Sequence, residues 1–209
     1  MNEYSKAINF SNSEVILTSD ADCLFTPEWI KSMTSCFIND KINLASGPVS
    51  FNHQSTFFNQ IQTLEFLSLI ASGAAAIGLN KPIFCNGANL AYRRKVFLEV
   101  NNYHDNDIAS GDDVFLLHMV KKVYPGSILF IKNFEAIVMT DSISTFRKFI
   151  NQRIRWVSKS SSYKDAYTIY TSILVFFVNS LLIFNFTSAL FCWVIIPYAA
   201  TWTCHNTIS

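Results

Sequence analysis

The amino-acid sequence predicts an α/β layer domain, then a basic amphipathic helix, then a membrane region. Three observations carry this prediction. Short apolar runs alternate with helical patterns along residues 15–142, as a layered α/β fold requires. Residues 166–203 contain no charged residue, a run longer than the ~20 residues that cross a bilayer. Directly before that run stand Arg147, Lys148, Arg153, Arg155, Lys159 and Lys164, with no acid among them.

The elements follow in order. Residues 15–18 (VILT) read as a short buried strand of a parallel sheet, and the chain then meets Asp20 and Asp22. Thr26-Pro27-Glu28 opens a helix reaching about residue 38, with Thr26 as N-cap, Pro27 at the first helical position and Glu28 near the positive end of the dipole. Residues 42–51 read as a strand broken by a turn at Gly47-Pro48. Residues 55–77 form a long helix whose second half is very apolar. Glu65 and the glycines interrupt it, which favours a surface-hugging or buried helix over a membrane span. Residues 84–94 are turn-rich and lead into a short helix over 94–100. Residues 110–125 form an amphipathic helix that starts at Asp112 or Asp113, carries lysines at its end and stops before Pro125. Residues 127–133 and 135–141 are strand-like. The organisation is thus 1–142 as the layered domain, 143–165 as the basic interfacial helix and 166–209 as the membrane region. The best single span is 169–190. Asn179, Asn185 and Pro197 interrupt the run, so a second span near Phe186 is also open.

The 209 residues suffice for one domain with a core plus an extension. Half are hydrophobic and the mean hydropathy is +0.24, high for a purely soluble chain. The net charge of +1 supplies no global field for nucleic acid. Five cysteines without a CxxC pair argue against a disulfide framework or zinc site and read as reduced, buried thiols. The polar first fourteen residues do not form a signal peptide. The cationic flank orients the preceding domain toward the cytoplasm.

Three constellations carry chemistry. Asp20 and Asp22 close a strand at the carboxyl edge of the sheet, where open α/β sheets bind ligands. Their hard oxygens suit Mg²⁺ or Mn²⁺ bridging to substrate phosphates, although a solvated turn has the same composition. Asp112 and Asp113 begin a helix, where a carboxylate is either a cap or a base facing an attacking hydroxyl. Gln152, Arg155 and Trp156, spaced QxxRW, share one side of a helix. Arginine there suits a diphosphate and tryptophan a sugar ring, while a basic interfacial helix with a headgroup-level Trp has the same pattern.

In order, these segments read SDAD, CNGANLAYRR, SGDD, QRIRW and then membrane. This resembles the membrane-associated inverting glycosyltransferases of family two, over residues 6–156 and, in kind, the membrane segment. The resemblance implies a GT-A (Rossmann-like) domain, a nucleotide-diphosphate sugar donor, a glycan or lipid-linked acceptor, contact with membrane lipid, and Mg²⁺ or Mn²⁺. It implies that Asp22, with Asp20, holds the cation and that Asp113 is the general base. Asp112 stands where the family usually has Glu, which leaves the choice between the two aspartates open. Gln152, Arg155 and Trp156 match the family's QxxRW beside the donor, and Asn86, Gly87 and Asn89 match a segment lining the acceptor side. Fewer than twenty residues precede Asp20, whereas the resembled enzymes have earlier strands that hold the nucleotide base. The expectation is an incomplete domain with poor nucleotide binding and no turnover by itself. An inactive membrane-anchored remnant and a metal-dependent phosphotransferase or hydrolase are the alternatives.

Overall fold

A computed structural model describes residues 3–52, 56–102, 113–160 and 165–206. The chain divides into two compact units, Met1–Tyr163 and Lys164–Ser209. The first carries two small sheets. Strands β1 (Val15–Thr18), β3 (Leu44–Ser46), β5 (Leu90–Arg93) and β6 (Ile128–Phe130) form one sheet in the order β1-β5-β3-β6. Strands β2 (Leu24–Phe25), β4 (Val49–Phe51) and β7 (Val138–Thr140) form the other, in the order β2-β7-β4. Pairing is mixed: β5 runs antiparallel to both β1 and β3, and the parallel pairs are β3–β6 and β4–β7.

Helices α1 (Glu3–Phe10), α2 (Trp29–Thr34), α3 (Phe57–Gly78), α4 (Arg94–Asn102), α5 (Asp113–Val123) and α6 (Phe146–Ser160) complete this unit. Side chains alternate along the central strands. Leu44, Leu90 and Tyr92 enter one core cluster with Ile8, Val96 and Leu117, while Ala45 and Ala91 enter another with Trp29, Met33 and Phe66. Helices on both faces therefore bury both sides of the four-stranded sheet.

Several expectations change. Residues 15–18 are a half-buried edge strand with an antiparallel neighbour, since the chain returns beside them through β5. β5 itself was read as a turn-rich approach to a helix, yet it lies inside the sheet and all four of its residues are buried. Arg93 is its last residue. Its guanidinium is buried, and it donates to the carbonyls of Ile42 (2.9 Å) and Phe37 (2.7 Å) and to the Glu14 carboxylate. Arg93→Leu would strand those carbonyls and should cost about 3 kcal/mol, the lower range for breaking a buried charged network. In detergent the unfolding midpoint of the chain should fall by roughly 6–12 °C. A fall below about 2 °C would make this network structurally idle.

Thr26 does not cap α2 with its side chain. Its hydroxyl donates to Glu135 O (2.7 Å), tying the segment after β2 to the turn before β7, and α2 begins at Trp29. The 42–51 strand divides at Gly47-Pro48 into β3 and β4, one for each sheet. Helix α3 starts under Thr56, whose hydroxyl accepts from Asn59 N (3.2 Å). Its inner face, including Phe66, Ile70 and Ala76, is buried, so the reading as a surface helix is the one that fits.

The second unit contains α7 (Ala166–Asn206), one continuous helix. Neither Asn179, Asn185 nor Pro197 interrupts it. At 1.5 Å per residue its 41 residues extend about 60 Å, twice the ~30 Å hydrocarbon core. Asn179 and Asn185 donate to the carbonyls of Val175 and Leu181, each at 2.8 Å, and Ser180 and Thr187 likewise bond one turn back. These four side chains are thereby satisfied within the helix, as residence in hydrocarbon requires. Residues Ala166–Trp193 have mean hydropathy 2.0 and none of that window is buried; they are long and apolar enough to cross a membrane. Helix α3 passes the same length and composition test at 1.4, with 33% of its window buried. Cys23 and Cys85 are buried as expected, and burial pushes the half-buried Cys36 thiol up to about 11. Cys192 is exposed on α7, contrary to the expectation of buried thiols.

Candidate active site

The site is built around the turn Asn86–Asn89. Asn86 caps a short 3-10 turn, its side-chain oxygen accepting from Ala88 N at 3.0 Å. Two carbonyls of this turn then receive the end of β1: Thr18 Oγ1 donates to Gly87 O (2.8 Å) and Ser19 Oγ to Ala88 O (2.9 Å). On its other side, Gly87 N donates to Asp113 Oδ2. The residue preceding Asp20 and the first residue of α5 therefore meet across two peptide units, although Thr18 and Asp113 are far apart in sequence.

Asp113 is held firmly. Its other oxygen accepts from Val114 N (3.0 Å), and the buried Cys85 thiol donates to its carbonyl at 3.3 Å. Bonds from two backbone amides fix its orientation. Glycine fits closely opposite it: a Cβ on residue 87 would lie 3.1 Å from Asp113 Oδ2, tight enough that the carboxylate would have to shift. Gly87→Ala should displace that carboxylate by a few tenths of an ångström and lower turnover about tenfold, given the sensitivity of rate to position. Donor binding should be unchanged, as titration calorimetry with the nucleotide would measure. Asp112, the other candidate base, lies outside the described residues.

Asp20 and Asp22 lie in the turn after β1, where Cys23 N donates to Asp20 O (3.2 Å). Both are exposed, and among the described residues neither carboxylate has a hydrogen-bond or ion-pair partner. No cluster of three His, Cys, Asp or Glu side chains exists among the described residues. Two free carboxylates do not make an all-protein cage. They fit a small hard cation that keeps waters and shares itself with substrate phosphates.

Asn89, matched in sequence to an acceptor segment, is buried. Its side-chain oxygen accepts from Trp29 Nε1 (3.1 Å), and its nitrogen donates to Pro48 O and Ala136 O, both at 2.7 Å. That amide locks α2, the β3–β4 turn and the approach to β7 together. Its bulk explains Gly47, where a Cβ would stand 2.3 Å from Asn89 Nδ2.

On α6, Trp156 packs half-buried against the cluster containing Phe66 and Ile70, whereas Arg155 is exposed. Gln152 accepts from Arg153 at 2.7 Å. Arg153, read in the sequence only as part of the cationic flank, is the busiest residue here: it bonds the Glu65 carboxylate of α3 and lies over the rings of Phe149 (4.4 Å) and Trp156 (4.2 Å). Its position, four residues after one aromatic and three before another, was the available signal. Gln152, Arg155 and Trp156 thus share α6, and none of them bonds Asp20 or Asp22.

Comparison with curated proteins gives no match. The family model described as Glycosyl transferase family group 2 matches residues 15–206, from the first residue of β1 into α7.

Proposed function

The chain belongs to glycosyl transferase family group 2, and from that premise we propose that it passes a sugar, with inversion, from a nucleotide-diphosphate sugar to a hydroxyl of a glycan or lipid-linked acceptor. The carrying observation is the Gly87–Ala88 turn, bonded on one side to Ser19 beside Asp20 and on the other to Asp113. It supports a donor pole and a base pole on one rigid support.

Asp113, oriented by its two amide bonds, takes the acceptor's proton. The acceptor oxygen then forms its bond to the anomeric carbon as the bond from that carbon to the diphosphate oxygen breaks, and the electron pair leaves with the diphosphate. A single base opposite the leaving group gives inversion. Asp22 and Asp20 would hold Mg²⁺ or Mn²⁺, which supplies charge neutralisation on the departing diphosphate. Arg155, exposed and uncommitted to an acid, adds a fork for the same oxygens. Trp156 and Gln152 flank the sugar, and Asn86 and Gly87 the acceptor. The satisfied polar groups of α7 and the cationic flank before it support a membrane-spanning helix with the catalytic unit in the cytoplasm.

The test is sugar transfer by the natural gene product carrying these residues, in lipid, with nucleotide sugars of different bases and with Mn²⁺ or Mg²⁺. Release of nucleoside diphosphate coupled to acceptor glycosylation is expected, with inverted anomeric configuration by NMR. Retained configuration would overturn the single-base mechanism. Phosphoester cleavage without sugar transfer would overturn the whole reading.

A further inference from the structure

Helix α3 carries apolar side chains on its covered and its open side alike, with Gln60, Glu65, Ser68 and Ser72 its exposed polar residues. Phe57 (77% exposed), Leu64 (70%) and Leu67 (57%) lie on the open side with Ile61, Ala71 and Ala75. A soluble surface helix carries its charges there. The single charge in its midst, Glu65, is spent on Arg153. The serines of this side are also withdrawn from solvent chemistry: Ser68 and Ser72 donate to the helix's own carbonyls at Glu65 and Ser68, each at 2.7 Å.

The row does not stop at α3. The Glu65–Arg153 pair and the contacts of Phe58 with Phe146 and Phe149 join α3 to α6. On α6, Phe146, Ile150 and Val157 are exposed on the flank of that same ion pair. Beyond them the helix turns to Arg147, Lys148 and Arg155, all exposed. Apolar rows on two joined helices, bordered by cations and without a free acid, match the acyl–headgroup boundary of an anionic bilayer. Five residues after α6 the sequence enters the uncharged run of α7. The ties of α3 to the first unit, through Gln62 to both the carbonyl and the amide of Ile143, keep it from leaving that unit to span.

We infer that the outer side of α3 extends the interfacial helix α6 into a lipid-embedded docking face that holds the catalytic unit against an anionic membrane, with α3 lying in the interface and not crossing it. This rests on the membrane reading of α7 and not on sugar transfer.

The experiment places the full chain in vesicles of phosphatidylcholine with about one third phosphatidylglycerol, containing a lipid with a photoactivated diazirine at a shallow acyl position. Cross-linked peptides are mapped by mass spectrometry. Cross-links are expected on α7, on the 57–79 peptide and on the 146–157 peptide. Ile38 and Phe134, at 89% and 86% the most exposed apolar side chains among the described residues of the unit outside this face besides Phe10, should stay unlabelled. The double variant Leu64→Glu/Leu67→Glu, on the open side where folding is not at stake, should lose most of the α3 label and keep that of α7. Labelling of α7 with none on α3 would overturn the docking face alone. Absence of label on α7 would overturn the membrane reading beneath it. Protection of α3 that rises with protein concentration and not with lipid would identify a second copy as the occupant and overturn the lipid assignment.

Discussion

Asp22→Asn is expected to abolish cation-dependent sugar transfer, with a loss of at least ~10³-fold. The carboxylate is exposed and has no partner, so the substitution removes no fold-stabilising contact, and the unfolding midpoint should stay within the range of ordinary surface changes. On the proposed role of Asp22, what disappears is a hard anionic ligand. An amide oxygen there would hold Mg²⁺ or Mn²⁺ more weakly and would leave less charge neutralisation for the diphosphate. Cations supply several kcal/mol of such stabilisation, and each 1.36 kcal/mol is tenfold in rate. Steady-state nucleoside diphosphate release across a Mn²⁺ titration measures the effect. A wild-type rate at saturating Mn²⁺ would remove the cation from Asp22.

Asp113→Asn should lower turnover by about 10²–10⁴-fold, the range for loss of a general base. Asparagine keeps an oxygen for the Gly87 amide, so the turn and the start of α5 persist. It cannot accept a proton. Donor affinity should therefore hold while the chemical step slows, which single-turnover kinetics with donor prebound would resolve. Asp112→Asn is the companion experiment. A larger loss there would transfer the role of base to Asp112 and leave Asp113 as the residue that anchors the turn.

The candidate acids and the α6 triad were legible because their patterns are local. Two acids closing an apolar run, an acid pair starting a helix, and Gln152, Arg155 and Trp156 at helical spacing are patterns a linear reading detects. Arg93 and Asn89 were not legible in the same way. Arg93 looks like a surface cation until Phe37, Ile42 and Glu14 are brought around it. Asn89 looks like a site residue until its amide is found locked between two carbonyls and an indole. A buried polar group is tolerated only where partners converge, and those partners lie 41 to 79 positions away for Asn89 and Arg93.

By itself, then, the sequence determined the α/β alternation, the helix of the uncharged run, its cationic flank and the acids that chemistry would require, because periodicity, charge and propensity act between near neighbours. Tertiary structure alone decided that residues 90–93 are an inner strand, that β1 is an edge, and that Gly87 stands between Thr18 and Asp113. It also decided which side of α3 is left bare. Each of these depends on ladder register and on which faces cover one another. Such contacts join residues as far apart as Thr18 and Gly87, 69 positions, and no local pattern carries information across that distance.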